Sequence, residues 1–449
     1  MVQQPNKFLK WIKTSPTARM IMIGFLSFIL LIPLVFIEDL IKERSDRQTS
    51  VIDQISKQWG NEVSIYGPIL KVPYKTFKEK TIVDQITKKV TTETIEYVKY
   101  AYFFPKKLDV QSIINPELKK RGIYNTAVFN SEIIMSGVFD SLNFTKKEIN
   151  VENILWNKSK IILKTTNVKG VNNAIQFDIN GKKYNLSSNG GNRFNNEGYY
   201  TLESSFIQFN KPIKNSSFSL KLNIKGSKEI RFIPIGKETT ARISSNWKTA
   251  NFMGEFLPYN SDKINENGFD AKWKVLDINR PFPQQHFDDI PYLQEYDFGV
   301  NFKIPVDEYQ KSERSAKYGF LVISLTFLIF FLIQTISKIH MHPFQYLMIG
   351  LALVMFYTLL VSISEHSNFL KAYVVAIIAV IGLISLYAKS ILKSTKFMSF
   401  IAVSLTILYA FIFIIIQLES YALLVGSIGL FVILATVMYT SRKIDWSNN

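Results

Sequence analysis

Five stretches of about twenty residues with almost no charge fill the chain from Tyr318 onward: Tyr318–Ile336, Pro343–Ile363, Phe369–Ala388, Phe397–Gln417 and Tyr421–Tyr439. As a helix rising 1.5 Å per residue, each covers a hydrocarbon layer of about 30 Å. Short linkers join them, so the C-terminal third reads as a five-helix transmembrane bundle. The span opening at Pro343 is the most informative. His340, His342 and Gln345 sit at one end of it, and Ser362, Ser364, Glu365 and His366 at the other. A crossing helix puts these groups on opposite faces of the membrane. Three of the four histidines therefore cannot share one metal ion.

The N-terminus carries Lys7, Lys10, Lys13 and Arg19 without an acid, followed by eighteen uncharged residues, Met20 to Ile37. The pattern is that of a signal peptide, but Glu38-Asp39 follows where a small-residue cleavage site belongs, so it reads as a retained anchor. Pro33 near its far end is a bend that a membrane span tolerates. The expected organisation is a cytoplasmic segment (1–19), an anchor helix (20–37), a large extracytoplasmic domain (38–317), the bundle (318–439) and a cytoplasmic tail (440–449). Of the 11 basic residues outside 38–317, only Lys371 falls on the external side of this scheme. That is what the positive-inside rule requires.

Within the large insert, Val51, Ile52, Ile55 and Trp59 recur at helical spacing, so the anchor helix continues outward until Gly60. Beyond it the signals are β. Thr94 to Phe104 is rich in β-branched and aromatic residues. Ile175, Phe177 and Ile179 alternate into Asn180-Gly181, a hairpin signature, and the alternation resumes at Tyr184 and Leu186. Phe218, Leu220, Leu222 and Ile224 alternate towards an expected turn at Gly226-Ser227 and a return through Ile230 and Phe232. One apolar face at period two implies a packed, sandwich-like β domain. An Asn/Gly/Ser-rich stretch, Ser187 to Asn196, reads as a long loop or as a boundary between two lobes. Pro- and Gly-containing turns are expected at Phe232–Lys237 and Arg280–Gln285.

The formal charge of +17 divides into +9 in 38–317 and +8 elsewhere. The second share follows from membrane topology and the first is mild, so nucleic acid is not an expected partner. The chain has no cysteine, which removes disulfides, thiolate nucleophiles and Cys-bound metals. Hydrolase elbows, zinc-helix motifs and phosphate loops are missing; Ser390-Ile-Leu-Lys393 matches a short Ser-x-x-Lys pattern on a cytoplasmic loop. No cofactor, metal site or catalytic residue is expected.

Glu365-His366 is the sharpest polar pair, either a relay or coupling site or an interfacial cap. Gln345 and Tyr346 open the same span. Asp307, Lys311, Glu313 and Arg314 lie in the lead-in to the bundle, where opposite charges at i,i+3 and i,i+4 suit a solvated helix that either stiffens or couples the junction.

Several blocks bear a resemblance. His342-Pro-Phe-Gln-Tyr-Leu-Met-Ile-Gly-Leu-Ala-Leu, Phe356-Tyr357 and Ser362-Ile-Ser-Glu-His366 resemble the CreD family of bacterial inner-membrane proteins. So do Pro305 to Lys311, Glu313 to Tyr318, Arg121-Gly-Ile-Tyr124, Phe232-Ile-Pro-Ile-Gly-Lys237, Gly254-Glu-Phe-Leu-Pro258 and Gly268-Phe-Asp-Ala-Lys-Trp273. The resemblance implies an inner-membrane protein of envelope integrity, with relatives in a regulon under the Cre two-component system that affect tolerance to an E-group colicin and responses to β-lactams. It carries no catalytic residues. The expectation is a non-enzymatic protein of envelope-stress response whose outer domain is an interaction module. Its partners are membrane lipids and an envelope protein or anionic envelope polymer. The alternatives are a transporter or channel gated by that domain, and a membrane-embedded hydrolase or transferase using Glu365 and His366. Oligomeric state is not legible.

Overall fold

The computed structural model describes residues 16–83, 90–147, 149–188, 198–209, 215–302, 308–337, 339–418 and 421–442. The chain divides into two compact units, one of residues 1–50 with 306–449 and one of residues 51–305.

The first unit is helical. α1 (Pro16–Ile29) and α2 (Leu31–Trp59) form the anchor and its extension, which stops before Gly60 as its sequence predicts. The break at Leu30 is a consequence of Pro33, which has no N–H for the carbonyl of Ile29. α3 (Glu308–Lys317) leads into α4 (Gly319–Ser337), α5 (Pro343–Ser364), α6 (Phe369–Leu392), α7 (Thr395–Gln417) and α8 (Ala422–Ser441). Among the described residues, six helices are long and apolar enough to cross a membrane. The anchor is seated by small residues. Leu30 occupies the notch left by the missing side chain of Gly350, and Leu34 the one at Gly319, the close approach that helices without a hydrophobic driving force rely on. α8 buries none of its own side chains and meets α7 where Phe411 lies over Gly429.

The second unit is the β-rich domain. In chain order its strands are β1 (Val63–Val83), β2 (Val90–Phe103), β3 (Lys107–Arg121), β4 (Tyr124–Phe139), β5 (Lys160–Thr165), β6 (Ile175–Ile179), β7 (Lys182–Ser188) and β8 (Tyr200–Ser204). They continue with β9 (Ser216–Ser227), β10 (Glu229–Phe232), β11 (Glu238–Ser245), β12 (Ala250–Gly254), β13 (Ile264–Asn265), β14 (Gly268–Leu276), β15 (Gln285–Phe287) and β16 (Phe298–Phe302). All join one sheet, in the order β12-β16-β10-β1-β5-β8-β7-β6-β9-β4-β3-β11-β14-β13, with β2 on β1 and β15 on β2. The two ends of this path curl towards each other. Phe252 of β12 packs on Trp273 and Phe269 of β14, with ring centroids 6.0 and 5.8 Å apart, and Trp273 lies 5.2 Å from Phe298 of β16. The nearly closed sheet wraps a single apolar core.

The Asn180-Gly181 hairpin forms, with φ of 52° and 80° at the two turn residues. The turn expected at Gly226-Ser227 does not. β9 runs through both residues, the chain reverses at Lys228 (φ 63°), and β10 pairs with β1 and β16 instead of folding back on β9. Gly226 serves close packing, because a Cβ there would strike Phe129 and Val63. The expected strand at Thr94–Phe104 lies in β2, but only its final residues are buried. From Lys75 to Ile82, β1 forms with β2 a two-stranded ribbon exposed on both faces, displaying Phe77, Tyr97 and Val98. Ser187 and Ser188 end β7; the rest of the polar stretch lies outside the described residues. The turns at 232–237 and 280–285 are joined by Arg280, described below.

Across β1, β5 and β8, the Glu203 carboxylate sits between Lys71 and Lys160 at 3.0 and 2.9 Å, with its side chain 9% exposed. Burial works against its ionisation, but the hydrogen bonds from Lys160 and Lys71 prevail and hold the carboxyl below its ordinary range. A depressed acid stabilises the fold above its unfolded-state pKa, and that contribution is lost as pH falls through the folded-state value. Glu203→Gln is therefore expected to lower stability by about 1–2 kcal/mol at pH 7 and to flatten the loss of melting temperature below about pH 4.5. Melting curves of both proteins from pH 7 to pH 3 check this; parallel pH profiles would contradict it.

Candidate functional site

One polar cluster of the helical unit lies at the C-terminal end of α5. Glu365, the residue after α5, accepts a hydrogen bond from the Tyr309 hydroxyl at 3.3 Å and pairs with Nε of Arg44 at 3.5 Å. Its side chain is 16% exposed and that of Arg44 35%, so the pair is half-desolvated. Arg44 comes from α2, Tyr309 from α3 and Glu365 from the C-cap of α5. Next to them the Glu308 carboxylate accepts the backbone N–H of Phe369 at 2.8 Å, and Asn368 caps the same helix by accepting from the N–H of Lys371 at 3.0 Å. An acid at the positive end of α6 is the favourable sign for the helix dipole. The Lys311 ammonium lies 5.7 Å over the Phe369 ring.

The sequence explains the convergence. On α1 and α2, the buried residues Leu30, Leu34, Ile37 and Ile41 are spaced by four, three and four, and Arg44 follows three later. Arg44 therefore continues the apolar stripe that faces the bundle. On α3, the buried residues Tyr309, Ser312, Ser315 and Ala316 make a face of mostly small side chains, while Glu313 and Arg314 point to the other side. The lead-in is thus not a fully solvated helix; only its charged face is.

The residues expected to matter fall into separate places. Glu365 enters the cluster and Lys311 flanks it. His366, the other half of the expected pair, is exposed. Glu313 pairs with Lys317 at 2.8 Å on the exposed face, and that carboxylate holds the Lys317 ammonium above its ordinary pKa. Arg314 is exposed, and Asp307 lies outside the described residues. Gln345 and Tyr346 are at the opposite end of α5. Gln345 accepts the His342 N–H at 2.8 Å in a capping box, and the buried Tyr346 hydroxyl donates to Gln334 of α4 at 2.7 Å. Gln345 closes the N-terminus of α5 itself, and Tyr346 ties α5 to α4.

Arg44, Glu308 and Tyr309 were not singled out by the sequence reading. Their signals were the cation on an apolar stripe and the aromatic that opens the spacing of α3. A second group was also missed. Tyr357 of α5, Tyr373 of α6 and Tyr409 of α7 pack around Phe356, with centroids 5.0, 5.3 and 4.6 Å from its ring. Tyr373 donates to the carbonyl of Tyr409 at 2.9 Å; the Tyr357 and Tyr409 hydroxyls have no partner among the described residues. Among those residues no three His, Asp or Glu side chains converge as metal ligands.

Comparisons with known proteins agree on one family. The family model for the inner membrane protein CreD matches residues 15–447. Inner membrane protein CreD of Escherichia coli (strain K12) is 28% identical over 426 residues, covering 93% of this chain and 91% of that protein. Two solved structures share little with it. The M1 zinc metallopeptidase of Deinococcus radiodurans is 8% identical with a TM-score of 0.19, covering 77% of this chain and 94% of that one. A Legionella pneumophila protein of suggested nutrient-binding role is 9% identical with a TM-score of 0.21, covering 50% of this chain and 77% of that one. Neither carries an argument about this molecule. The match over nearly the whole length, with an apolar anchor, a β-rich unit and five further apolar helices, is decisive: the chain belongs to the CreD family of inner membrane proteins.

Proposed function

We propose that this protein is a non-enzymatic component of envelope integrity and envelope-stress response. In this reading the β unit faces the outside, both termini are cytoplasmic, and the bundle reads the state of the β unit. One observation carries it: Glu365 of the bundle binds Arg44 and Tyr309. Those two residues lie on the two chain segments, α2 and α3, through which the polypeptide enters and leaves the β unit. A displacement of either segment must break or remake an interaction with Glu365. The exposed ribbon of β1 and β2 suits an interaction module, whether its partner is an envelope protein or an anionic envelope polymer.

The lack of cysteine makes the topology directly testable. Ser261→Cys in the β unit is expected to react with a membrane-impermeant maleimide in intact spheroplasts, and Ser394→Cys between α6 and α7 only after permeabilisation. The opposite pattern would overturn the orientation. For the function itself, cells carrying Glu365→Gln at normal membrane levels are expected to lose most of the protection that the wild-type protein gives against envelope stress. Full protection would contradict the coupling role, and reproducible turnover of an envelope substrate by purified protein would contradict the non-enzymatic one.

A transport reading is the alternative, favoured by the Tyr357, Tyr373 and Tyr409 hydroxyls inside the bundle. Polar groups buried in a membrane domain commonly mark a pathway. Solute flux in proteoliposomes that Tyr357→Phe and Tyr409→Phe abolish would establish it.

A further inference from the structure

Between α4, α7 and α8 lies an apolar cavity of about 340 Å³. Its wall is drawn from the stretches Leu325 to Leu332 on α4, Ser404 to Phe411 on α7 and Gly429 to Val437 on α8. Each stretch is central in its helix, so in a membrane the cavity lies within the hydrocarbon layer. Its origin is the loose seat of α8. Gly429, Ile433 and Val437, spaced by four, line the cavity and are half-buried, yet no side chain of α8 is fully buried. The helix meets α7 where Phe411 covers Gly429, and the cavity is the space left beside that contact, towards α4.

Ser404 carries the only polar side chain among the lining residues, and none of them is charged. Water does not fill such a site: a buried water needs two to four polar partners, and apolar cavities of roughly 150 Å³ stay dry and take up a benzene-sized guest. Left empty, the wall forfeits dispersion contacts on its inner side. A helix from a second copy does not fit. At about 10–12 Å across with its side chains, it needs at least roughly twice this volume over the same length. An acyl chain is slender, apolar and already present at this depth.

We infer that this cavity holds one acyl chain of a bilayer phospholipid, which fills the gap between α8 and α4 and completes the packing of the bundle. The wall selects the chain and not the headgroup. The inference rests on the helices spanning a membrane and does not need the coupling role of Glu365.

The test uses the full chain in vesicles of phosphatidylethanolamine and phosphatidylglycerol, doped with a phosphatidylcholine that carries a diazirine in the middle of one acyl chain. After irradiation, adducts are mapped by mass spectrometry. They are expected on the lining residues Leu332, Leu408 and Val437 of all three helices, although Leu408 is only 5% exposed, as well as on Leu434, which is 57% exposed and outside the cavity. Ser404→Leu and Val437→Phe each place bulk in the cavity. Each is expected to lower the adducts on Leu332 and Leu408 by roughly fivefold or more, because a close-packed interior leaves no room for a chain. Adducts on Leu434 should stay unchanged in both, and Leu434→Phe should leave the lining adducts as they are. Where one filling variant fails to reach the vesicles, the other decides. The same photoreactive chain on phosphatidylglycerol is expected to give the same pattern. Adducts confined to exposed positions such as Leu434, lining adducts undiminished by filling, or lining adducts seen with one headgroup alone would overturn the proposal.

Discussion

Replacing Arg280 with methionine is expected to destabilise the β unit by about 3 kcal/mol or more. Arg280 is 4% exposed, and its guanidinium donates to the carbonyls of Phe282 at 2.8 Å and of Ile235 and Gly236 at 3.0 Å each. It also lies 4.0 Å from the centroid of the Phe282 ring. Methionine fills similar volume but leaves three buried carbonyls without that donor, and each unmade bond costs about 1–3 kcal/mol. Burial pulls the pKa of Arg280 down to about 10, so the group is still charged at neutral pH. Lysine is expected to rescue little, because one ammonium cannot reproduce the planar fork that joins the two turns. Urea unfolding of the full chain, followed by tryptophan emission from the β unit, checks the size of the loss. A change below about 1 kcal/mol would mean that the turns hold each other without the guanidinium.

The second large effect is expected at Gly350. A Cβ there would collide with Leu30 and lie 2.9 Å from Phe327, so Gly350→Leu must push the anchor helix off α5. Overpacking of this kind costs about 1–3 kcal/mol, and more where backbones have to separate. Cysteines introduced at Leu34 and Gly319, which adjoin in the wild type, report the displacement by their oxidative crosslink. The yield is expected to fall severalfold in Gly350→Leu. It should persist in Gly382→Leu, where a Cβ meets nothing within 4 Å. Equal crosslinking in both variants would contradict the seating of the anchor described above.

Hydropathy made the helices legible, because a bilayer leaves an uncharged twenty-residue run few alternatives. Alternation did the same for β6, β7 and β9, and Asn180-Gly181 marked its own hairpin. What the local pattern did not carry was pairing. β10 follows β9 directly and yet lies beside β1 and β16, a choice made by the closure of the whole sheet. Glu365 was legible as a polar residue at the end of a span. Its partners Arg44 and Tyr309 are separated from it by hundreds and tens of residues, and only the packing of α2 and α3 brings them together. The buried tyrosines escaped because their rings count as apolar in any hydropathy reading, while their hydroxyls are what matter inside a membrane. His366 follows Glu365 directly in sequence, yet its side chain is exposed while that of Glu365 is half-buried.

The claim at the centre of this structure is that Glu365 couples the bundle to α2, and a charge swap tests it most directly. Arg44→Glu and Glu365→Arg, each alone, place like charges about 3.5 Å apart and are expected to abolish envelope protection while the protein still accumulates in the membrane. The double variant restores opposite charges and is expected to recover much of the protection. Full protection in either single variant, or a double variant no better than the singles, would contradict the coupling.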